Sequence, residues 1–495
     1  MHLSSVRPVN VPSDFKIGEM FFSTTDPRGI ILTGNTVFSR VSGYTLEELV
    51  GQPHNIIRHP DMPRVIFRLL WDNLKAGRAV VALVKNMARD GRYYWVVALV
   101  GPVSGGYLSV RFKPSSPLSE KLQALYGRLR EIEAEHGEGG ADGRAGMDAA
   151  EKALGAELGR LGFADYGSFM WKYLHEEMKS RDARTGGMAP AVSAGTPGGL
   201  AGDSAVLGSI HQGVVQAYGQ INALYGRLDE LIALHERLAE KSDRVFTVTH
   251  NIRFVALSTT IKAAKLGEEG RGLEVIAQYL SDASARTSLE VYQLTGRIRE
   301  IATELHAVIF NLAGARLQLE MMRFFVHELQ SELAAIGAGT ATAGASRQEM
   351  ILLLQKAFHA TMTRAVEFLG TFGKHLAGLN AIADELRRTI LTLQVAQLGG
   401  KVEASRIKDD DSIMVVLTEI HEHIGSTARE LVEIGDITSR FAALIRAVPA
   451  TAHVIDLAID CIERDVRQLS TQRELAPAAA ENPVEGTALE PVAAA

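Results

Sequence analysis

Cysteine and long apolar runs are what this sequence of 495 residues most clearly lacks. The single cysteine, Cys461, excludes an internal disulfide framework and a cysteine-based metal cluster. We expect no metal site from histidines either, since His421 and His423 at i and i+2 face different sides of a helix. The longest apolar runs, such as Val80–Val84 and Val96–Val100, have the length of strands, whereas a membrane helix needs about 18 residues or more. Residues 1–16 lack the apolar core of a signal peptide. We therefore expect a cytoplasmic protein without membrane insertion.

An excess of basic residues is also absent, because 52 Lys and Arg stand against 58 Asp and Glu, for a net charge of -6. A nucleic-acid-binding protein needs a basic surface for phosphates, so this class of partner is disfavoured. Hydrophobic residues make up 46% and charged residues 22% of the chain, which is typical of a protein with a packed core. The length allows two or three domains.

The first part of the chain alternates strand-like runs with turn residues. After an N-terminal arm, residues 1–17, three turns separate these runs: Asp26–Gly29, Asp90–Gly91 and Gly105–Gly106. A polar, helical stretch covers Thr45–Lys75. The pattern predicts a small α+β domain over residues 18–115, with about five antiparallel strands and short helices across one face.

Residues 116–205 predict a helical connector with flexible linkers. Helices are expected over Leu118–Glu135 and Lys152–Lys179. The segments Gly137–Gly146 and Gly186–Gly202 are rich in glycine, and the second also in alanine and proline, which is typical of flexible linkers.

Long helices with few breakers dominate the rest of the chain. We predict a helical hairpin over residues 206–336, a linker over 337–346, a second long hairpin over 347–473 and a disordered tail over 474–495. In the first hairpin, apolar residues recur at alternating steps of four and three: Ile210, Val214, Ala217, Ile221, Leu224, Leu228 and Leu231. Such heptads predict an all-α coiled-coil bundle, and we expect this seam to hold a homodimer together.

One string of residues carries the most specific information in the α+β region. Residues 41–63 read VSGYTLEELVGQPHNIIRHPDMP, followed by Lys85-Asn86, Asp90-Gly91 and Tyr94-Trp95-Val96. This region closely resembles the PAS domain of bacterial aerotaxis receptors. The resemblance implies non-covalently bound FAD whose redox state is sensed. It places seven residues at or near the cofactor: Asn55, Arg58, His59, Asp61, Trp71, Val80 and Asn86.

Two alternatives to this flavin site remain open. In the simpler one, Arg58 and Asp61 pair across a turn whose backbone is held by Pro60 and Pro63. In the other the cofactor is haem, with His54 and His59 as ligands. One departure bears on flavin binding, because the family carries a tryptophan where this sequence has Val80, so a stacking indole is missing there.

A second resemblance lies in the long helices. Phe254–Leu257 and Ile261–Ala277 resemble the signalling hairpin tip of methyl-accepting chemotaxis proteins. The resemblance assigns the tip surface to Ser258, Lys262, Lys265, Gly267, Glu268, Gly270, Arg271 and Gly272. Three of these depart from the family, which usually has Asn, Glu and Arg at the positions of Ser258, Lys262 and Lys265. The inverted charge at Lys262 should oppose coupling to a standard kinase complex.

The tip sequence has a weak internal echo further along the chain. Val395–Leu398 with Val402–Ile407 resembles Phe254–Leu257 with Ile261–Leu266, although few positions are identical. Heptad composition alone explains such an echo as well as a duplication does. If the echo is a duplication, one chain holds two hairpins, the four helices that receptors of this family assemble from two chains.

These patterns lead to one main functional prediction and one alternative. We expect a non-enzymatic, cytoplasmic sensor for redox or energy taxis, which relays the cofactor state through a helical bundle to a chemotaxis histidine kinase and its coupling protein. The alternative is a non-catalytic scaffold that uses the PAS domain for protein binding and the helices for assembly. A histidine kinase is disfavoured, since no phosphate-binding glycine boxes follow the helices.

Overall fold

A computed structural model describes residues 6–136, 143–186, 201–265, 267–336, 344–407, 411–446 and 448–474. The expected flexible linkers at Gly137–Gly146 and Gly186–Gly202 lie largely outside these residues. The same holds for most of the 337–346 linker and for the 474–495 tail.

The α+β region is built on one antiparallel sheet of five strands. The strands are β1 Met20–Thr25, β2 Ile31–Gly34, β3 Val80–Met87, β4 Tyr93–Val103 and β5 Gly106–Phe112, in the spatial order β2-β1-β5-β4-β3. The turn between β1 and β2 is held by Asp26, whose Oδ1 accepts hydrogen bonds of 2.8 and 2.9 Å from the amides of Arg28 and Ile30. Gly29 supplies the positive φ of 83° that this turn requires. The predicted α+β fold is confirmed.

Short helices cover one face of this sheet. They are α1 Thr36–Ser42, α2 Leu46–Leu49, a 3-10 turn His54–Ile57 and α3 Arg64–Lys75. Side chains encoded next to each start cap two of them. Asn35 accepts a hydrogen bond from the amide of Phe38, and Thr45 and Glu48 form a capping box.

The described part of the connector contains three helices, α4 Pro117–Glu135, α5 Gly143–Arg160 and α6 Tyr166–Thr185. The expectation of one helix over Lys152–Lys179 is wrong, because the chain turns between α5 and α6. Gly162 adopts a φ of 87°, and Asp165 begins α6 with a capping box to Ser168. The apolar spacing continues across this turn, so the periodicity of the sequence does not indicate that one helix ends there and another begins.

From residue 201 to residue 474 the described parts of the chain form six long helices: α7 Ala201–Tyr225, α8 Leu228–Lys265, α9 Arg271–Ile336, α10 Gly344–Ala404, α11 Asp411–Arg446 and α12 Val448–Glu474. Helix α9 packs along α10, α8 packs on α9 and α11, and α12 packs on α7. Four helices of one chain therefore surround a common core along most of the bundle. This arrangement confirms the predicted all-α region.

The heptad seam is filled from within the same chain. Its members are at most 5% exposed: Ile210, Val214, Ala217, Ile221, Leu224, Leu228 and Leu231. Their cover comes from α9, α11 and α12, so a second chain is not needed to bury this seam. Homodimerisation, if it occurs, must use another surface.

Among the described residues, the helical stretch Ile413–Gln468 contains a window of 18 residues whose length and mean hydropathy, 1.5, would suit a membrane span. This is weak evidence for a span, because a core helix of a bundle passes the same test. The absence of membrane insertion therefore stays a prediction.

Candidate functional site

The two faces of the sheet have different neighbours. Along each strand, alternate side chains point to opposite faces, and the register pairs Phe21 with Arg111 and Asn86 with Tyr94. Phe21 stacks on Phe38 of α1 at 5.9 Å, so its face is the inner one, beneath helices α1–α3. The next residue, Phe22, contacts Phe325 of α9 at 5.2 Å on the outer face.

Arg111 is the central polar group of the inner face, and it is only 4% exposed. Its Nη1 donates to Ser23 Oγ at 2.9 Å and its Nη2 to His54 Nε2 at 2.7 Å. The guanidinium also lies 5.8 and 5.6 Å from the ring centres of Phe21 and Phe38. Among the described residues no carboxylate pairs with this buried cation.

Burial has opposite consequences for the charges of this pair. It lowers the pKa of Arg111 to about 10, so the guanidinium stays protonated at neutral pH. It also lowers the pKa of His54 to about 3, with a further contribution from the neighbouring Arg111 charge. His54 is therefore neutral, and because a guanidinium only donates, Nε2 must be the accepting ring nitrogen.

Three more polar atoms of the inner face are buried, and none forms a hydrogen bond of normal geometry among the described residues, although the Asn86 and Tyr94 side chains face each other across β3 and β4. They are Asn86 Nδ2, the Tyr94 hydroxyl and Ser109 Oγ. Buried polar atoms are almost always paired, so unpaired ones on one face indicate a polar ligand or water. An apolar pocket with a few fixed polar groups is what an isoalloxazine ring requires, and the residues present fit this group.

Three of the residues assigned by resemblance lie on or beside the inner face. Val80 is fully buried and pairs with Val100, and Asn86 lies on the same face. The Trp71 ring lies 5.6 Å from Tyr107 and covers Gly29, at one end of this face. These three residues therefore share a face with the buried polar groups, but Val80 and Asn86 lie at opposite ends of β3.

Of the other four, Asn55 is an exposed residue of the 3-10 turn, and Arg58, His59 and Asp61 follow on the loop that passes the β3 edge of the sheet. Arg58 donates to the carbonyl of Met62 at 3.2 Å and lies over the Phe67 ring. His59 is 2% exposed, and its Nδ1 accepts from the Asp61 amide at 3.1 Å. The structure does not place these side chains on the inner face, so their cofactor role stays a prediction.

The simpler alternative for this loop, an Arg58–Asp61 pair, is wrong. Asp61 instead pairs with Lys85 of β3, at 2.6 Å from Nζ to Oδ2. Lys85 is distant from Asp61 in the sequence, so an argument from a local turn cannot predict this ion pair. The two histidines proposed for haem, His54 and His59, each use a ring nitrogen in a hydrogen bond within the domain.

Sequence reasoning missed Arg111, Ser109 and Tyr94. A signal was present in β5, GYLSVRF, where Ser109 and Arg111 occupy alternate positions of an otherwise apolar strand. Two polar residues at this spacing share one face, and a buried face with polar residues is unusual. The resemblance drew attention to the preceding loop instead.

The tip of the first long hairpin is a tight turn at the far end of α8. A 3-10 turn, Gly267–Gly270, joins α8 to α9, and Gly267 has a φ of 59°. Arg271 pairs with Glu268 at 2.6 Å, both strongly exposed, and Lys262 is half-buried. The exposed apolar residues near this tip on α8 are Phe254, Leu257 and Ile261, which are 68%, 54% and 53% exposed.

The echo of this segment occupies the equivalent place on α10. Val395, Leu398 and Val402 are 73%, 63% and 50% exposed, matching the exposure of their counterparts Phe254, Leu257 and Ile261. The buried position also matches, since Ala256 and its counterpart Gln397 are both at most 2% exposed. Two other echoed positions differ, because Val255 and Ala263 are buried while their counterparts Ala396 and Ala404 are half-buried. The duplication therefore stays a prediction beside chance heptad composition.

Comparisons with known proteins agree with this geometry. Residues 31–107 match a family model described as PAS fold. Residues 31–107 are a PAS domain. The aerotaxis receptor of Escherichia coli is 42% identical over 112 residues, which are 22% of this chain and 22% of that receptor.

Two proteins of Pseudomonas aeruginosa are also similar. The biofilm dispersion protein BdlA is 24% identical over 298 residues, 59% of this chain and 58% of BdlA. The methyl-accepting chemotaxis protein TlpQ is 23% identical over 126 residues, 26% of this chain and 18% of TlpQ. A match of 298 residues is longer than the PAS domain and its connector, so the likeness to BdlA includes long helices. This chain spans less than two thirds of each of these relatives.

Proposed function

We propose that the protein is a redox sensor whose PAS domain binds a flavin, most simply FAD, and controls the long helical bundle. The observation that carries this proposal is the inner face, where buried polar atoms without partners lie in an apolar setting. The similarity of this domain to an aerotaxis receptor supports the choice of flavin over haem.

The chain's own residues have distinct tasks in this proposal. Asn86, Tyr94 and Ser109 would hydrogen-bond the ring, and Val80 would pack against it without the stacking that an indole provides. Trp71 would close one end of the pocket against Tyr107. A bound flavin would supply a group whose charge and hydrogen bonding change with redox state.

The middle strands of the sheet link this pocket to the bundle. In β5, Arg111 lies on the inner face, while the next residue, Phe112, lies 5.7 Å from the Arg181 guanidinium on the outer face. Arg181 in turn pairs with Glu320 of α9 at 2.7 Å. A shift of β5 that follows the ligand's state would therefore reach α9 through one buried ion pair, which biases the bundle between two arrangements.

The bundle would pass this bias to the tip around Gly267–Gly270, where a chemotaxis histidine kinase and its coupling protein would bind. The protein would act in the cytoplasm, without catalysis of its own. The apolar residues exposed on α8 and α10 offer surfaces for such partners or for a second copy of the chain.

An absorption spectrum of the purified protein, before and after incubation with FAD, tests the proposal. We expect flavin bands that are lost in Asn86→Ala and retained in the control Asp90→Ala, which changes an exposed turn. Arg58→Ala and Asp61→Ala test whether the β3-edge loop is also needed. A colourless protein that takes up no flavin but still assembles would contradict the sensor and favour the scaffold. Haem bands would contradict flavin.

The tip is tested separately. Because Lys262 inverts a charge that the resembling receptors carry at this place, Lys262→Glu should strengthen binding to the coupling protein of the same organism, by about tenfold or more. Calorimetric titration of both forms gives the two affinities, with the exposed Arg253→Glu as control. Tighter binding by the native form would show a tip adapted to its own kinase complex.

A further inference from the structure

Among the described residues three arginines are almost fully buried, and their partners differ. Arg181 is 3% exposed and pairs with Glu320, and Arg316 is 1% exposed and makes two hydrogen bonds of 2.7 Å to Asp182. Arg111 is buried as deeply, at 4% exposed, but its hydrogen bonds go only to neutral groups. Arg111 is therefore the exception among the buried arginines of the described residues.

A buried cation without an anion is unfavourable, because neutral acceptors replace only part of its hydration. The groups around Arg111 come from every element that packs on it: Ser23 and Phe21 of β1, Phe38 of α1, His54 of the 3-10 turn and Tyr94 of β4. None of them is a carboxylate. Two of the five guanidinium donors are used in hydrogen bonds.

We propose that Arg111 is the ligand-binding cation of the PAS domain, and that its ligand presents an anionic or strongly accepting oxygen edge to the guanidinium. The unpaired Ser109 Oγ lies on the same strand and face, two residues away, which supports a polar ligand at this place. The proposal rests on the proposed function for the identity of the ligand as a flavin. In FAD the accepting oxygens belong either to the ring or to the diphosphate.

The test compares two buried arginines, of which Arg181 has an acidic partner and Arg111 has none. Arg111→Met should lower the affinity for FAD about tenfold or more, and the melting temperature of the protein without ligand should stay within about 2 °C of the wild type or rise. The matched Arg181→Met leaves Glu320 buried and unpaired, so its melting temperature should fall by about 5 °C or more. Arg181 lies on the outer face and forms no hydrogen bond with the inner-face groups, so the FAD affinity of Arg181→Met should stay within threefold of the wild type.

A second variant covers the case in which Arg111→Met does not fold. Arg111→Lys keeps the charge but loses the planar set of donors, so we expect a folded protein with an intermediate loss of FAD affinity. Circular dichroism reports folding for each variant. Loss of folding by both variants would overturn the proposal, because it would assign Arg111 to the core.

Two further probes identify which oxygens Arg111 contacts. Riboflavin has the ring but no phosphate. If Arg111→Met binds riboflavin more weakly than the wild type does, by as much as it does FAD, Arg111 contacts the oxygens of the ring. If riboflavin is insensitive and sodium pyrophosphate binds the wild type but not Arg111→Met, the diphosphate is the source. Either result supports the proposal, whereas affinities of all probes within threefold of the wild type overturn it.

Failure of the flavin proposal is distinguishable from failure of this inference. If the wild type binds none of the probes, the flavin sensor fails, and the melting temperatures alone decide the role of Arg111. A melting temperature of Arg111→Met at or above that of the wild type supports the assignment of Arg111 to ligand binding. A decrease as large as that of Arg181→Met shows that the Ser23 and His54 hydrogen bonds stabilise the core, and overturns the inference.

Discussion

The carboxylate of Glu328 in α9 accepts a hydrogen bond of 2.7 Å from the backbone amide of Thr36, at the start of α1. Its other oxygen accepts from Asn35 Nδ2 at 3.1 Å. The first amides of a helix have no hydrogen-bond acceptor within the helix, and the helix dipole has its positive end there. A carboxylate from another element accepts hydrogen bonds from these amides and also compensates the positive end of the dipole. A bundle helix thus adds a second cap to a PAS helix whose N-cap is Asn35.

The same device joins the connector to its neighbours. Glu133 of α4 accepts hydrogen bonds of 2.9 and 2.8 Å from the amides of Arg64 and Val65, at the start of α3. Glu177 of α6 accepts from the amides of Ser115 and Ser116 at 2.7 and 3.1 Å, just before α4. Three carboxylates therefore hold the PAS domain, connector and bundle together.

Removal of the Glu328 cap should loosen the PAS domain from the bundle. Glu328→Ala should cost about 0.5–2 kcal/mol and increase hydrogen exchange of the amides at the start of α1. Glu328→Gln keeps an accepting oxygen and should retain most of the protection. Unchanged exchange in Glu328→Ala would show that this contact does not hold α1.

Two adjacent glutamates of α6 give a matched comparison. Glu177 is fully buried and also accepts from Ser116 Oγ at 2.6 Å, so Glu177→Ala leaves several buried donors unpaired and should cost about 3 kcal/mol. Glu176 forms a surface pair with Lys172, and Glu176→Ala should cost about 0.5 kcal/mol or less. Urea unfolding measures both. Equal costs would contradict the capping role of Glu177.

The seam buried within the chain predicts how a seam mutant behaves. Leu228 is 1% exposed, so Leu228→Asp should lower the free energy of unfolding by about 3 kcal/mol or more. Its molar mass by light scattering should equal that of the wild type under conditions where both are folded. Leu289, 62% exposed on α9, provides the control, because Leu289→Asp buries no charge. A halved mass for Leu228→Asp would instead show that the seam joins two chains.

A partly buried histidine pair predicts acid sensitivity. His306 stacks on Trp171 at 4.3 Å and contacts His235, and burial with the His235 charge lowers the pKa of His306 to about 4. The unfolded chain binds this proton near pH 6.5. The free energy of unfolding should therefore be highest above about pH 6.5 and fall between pH 6.5 and 4. For this residue the slope is at most about 1.4 kcal/mol per pH unit, and it is smaller than that because the ring is partly exposed.

Replacement of His306 by phenylalanine keeps a stacked ring and removes the titration. Urea unfolding at pH 7.5, 6 and 5 should show a smaller decrease of stability for His306→Phe than for the wild type. Some decrease should remain, since the pKa of the buried His54 is lowered in the same direction. The exposed His250→Phe is the control. An unchanged pH dependence in His306→Phe would rule out this contribution.

Much of the fold was predictable because its signals are local. The turns at Asp26–Gly29 and Asp90–Gly91, and the caps at Asn35 and Thr45, depend on residues within a few positions of each other. The candidate site was less predictable. The resemblance directed attention to Arg58 and Asp61, whereas the buried polar groups gather around Arg111, whose partners Ser23 and His54 lie 88 and 57 residues away.

By itself the sequence determined which segments form strands, turns and long helices, because side-chain periodicity and capping residues act over one or two turns of chain. Only the tertiary structure decided which buried charged groups have a partner of opposite charge and which do not. Arg181 meets Glu320 across 139 residues, while Arg111 meets no carboxylate among the described residues, and nothing in either local sequence distinguishes them. The tertiary structure also decided that α10 and α11 complete the bundle begun by α8 and α9. Heptads specify an apolar seam but not whether the helices that cover it come from the same chain.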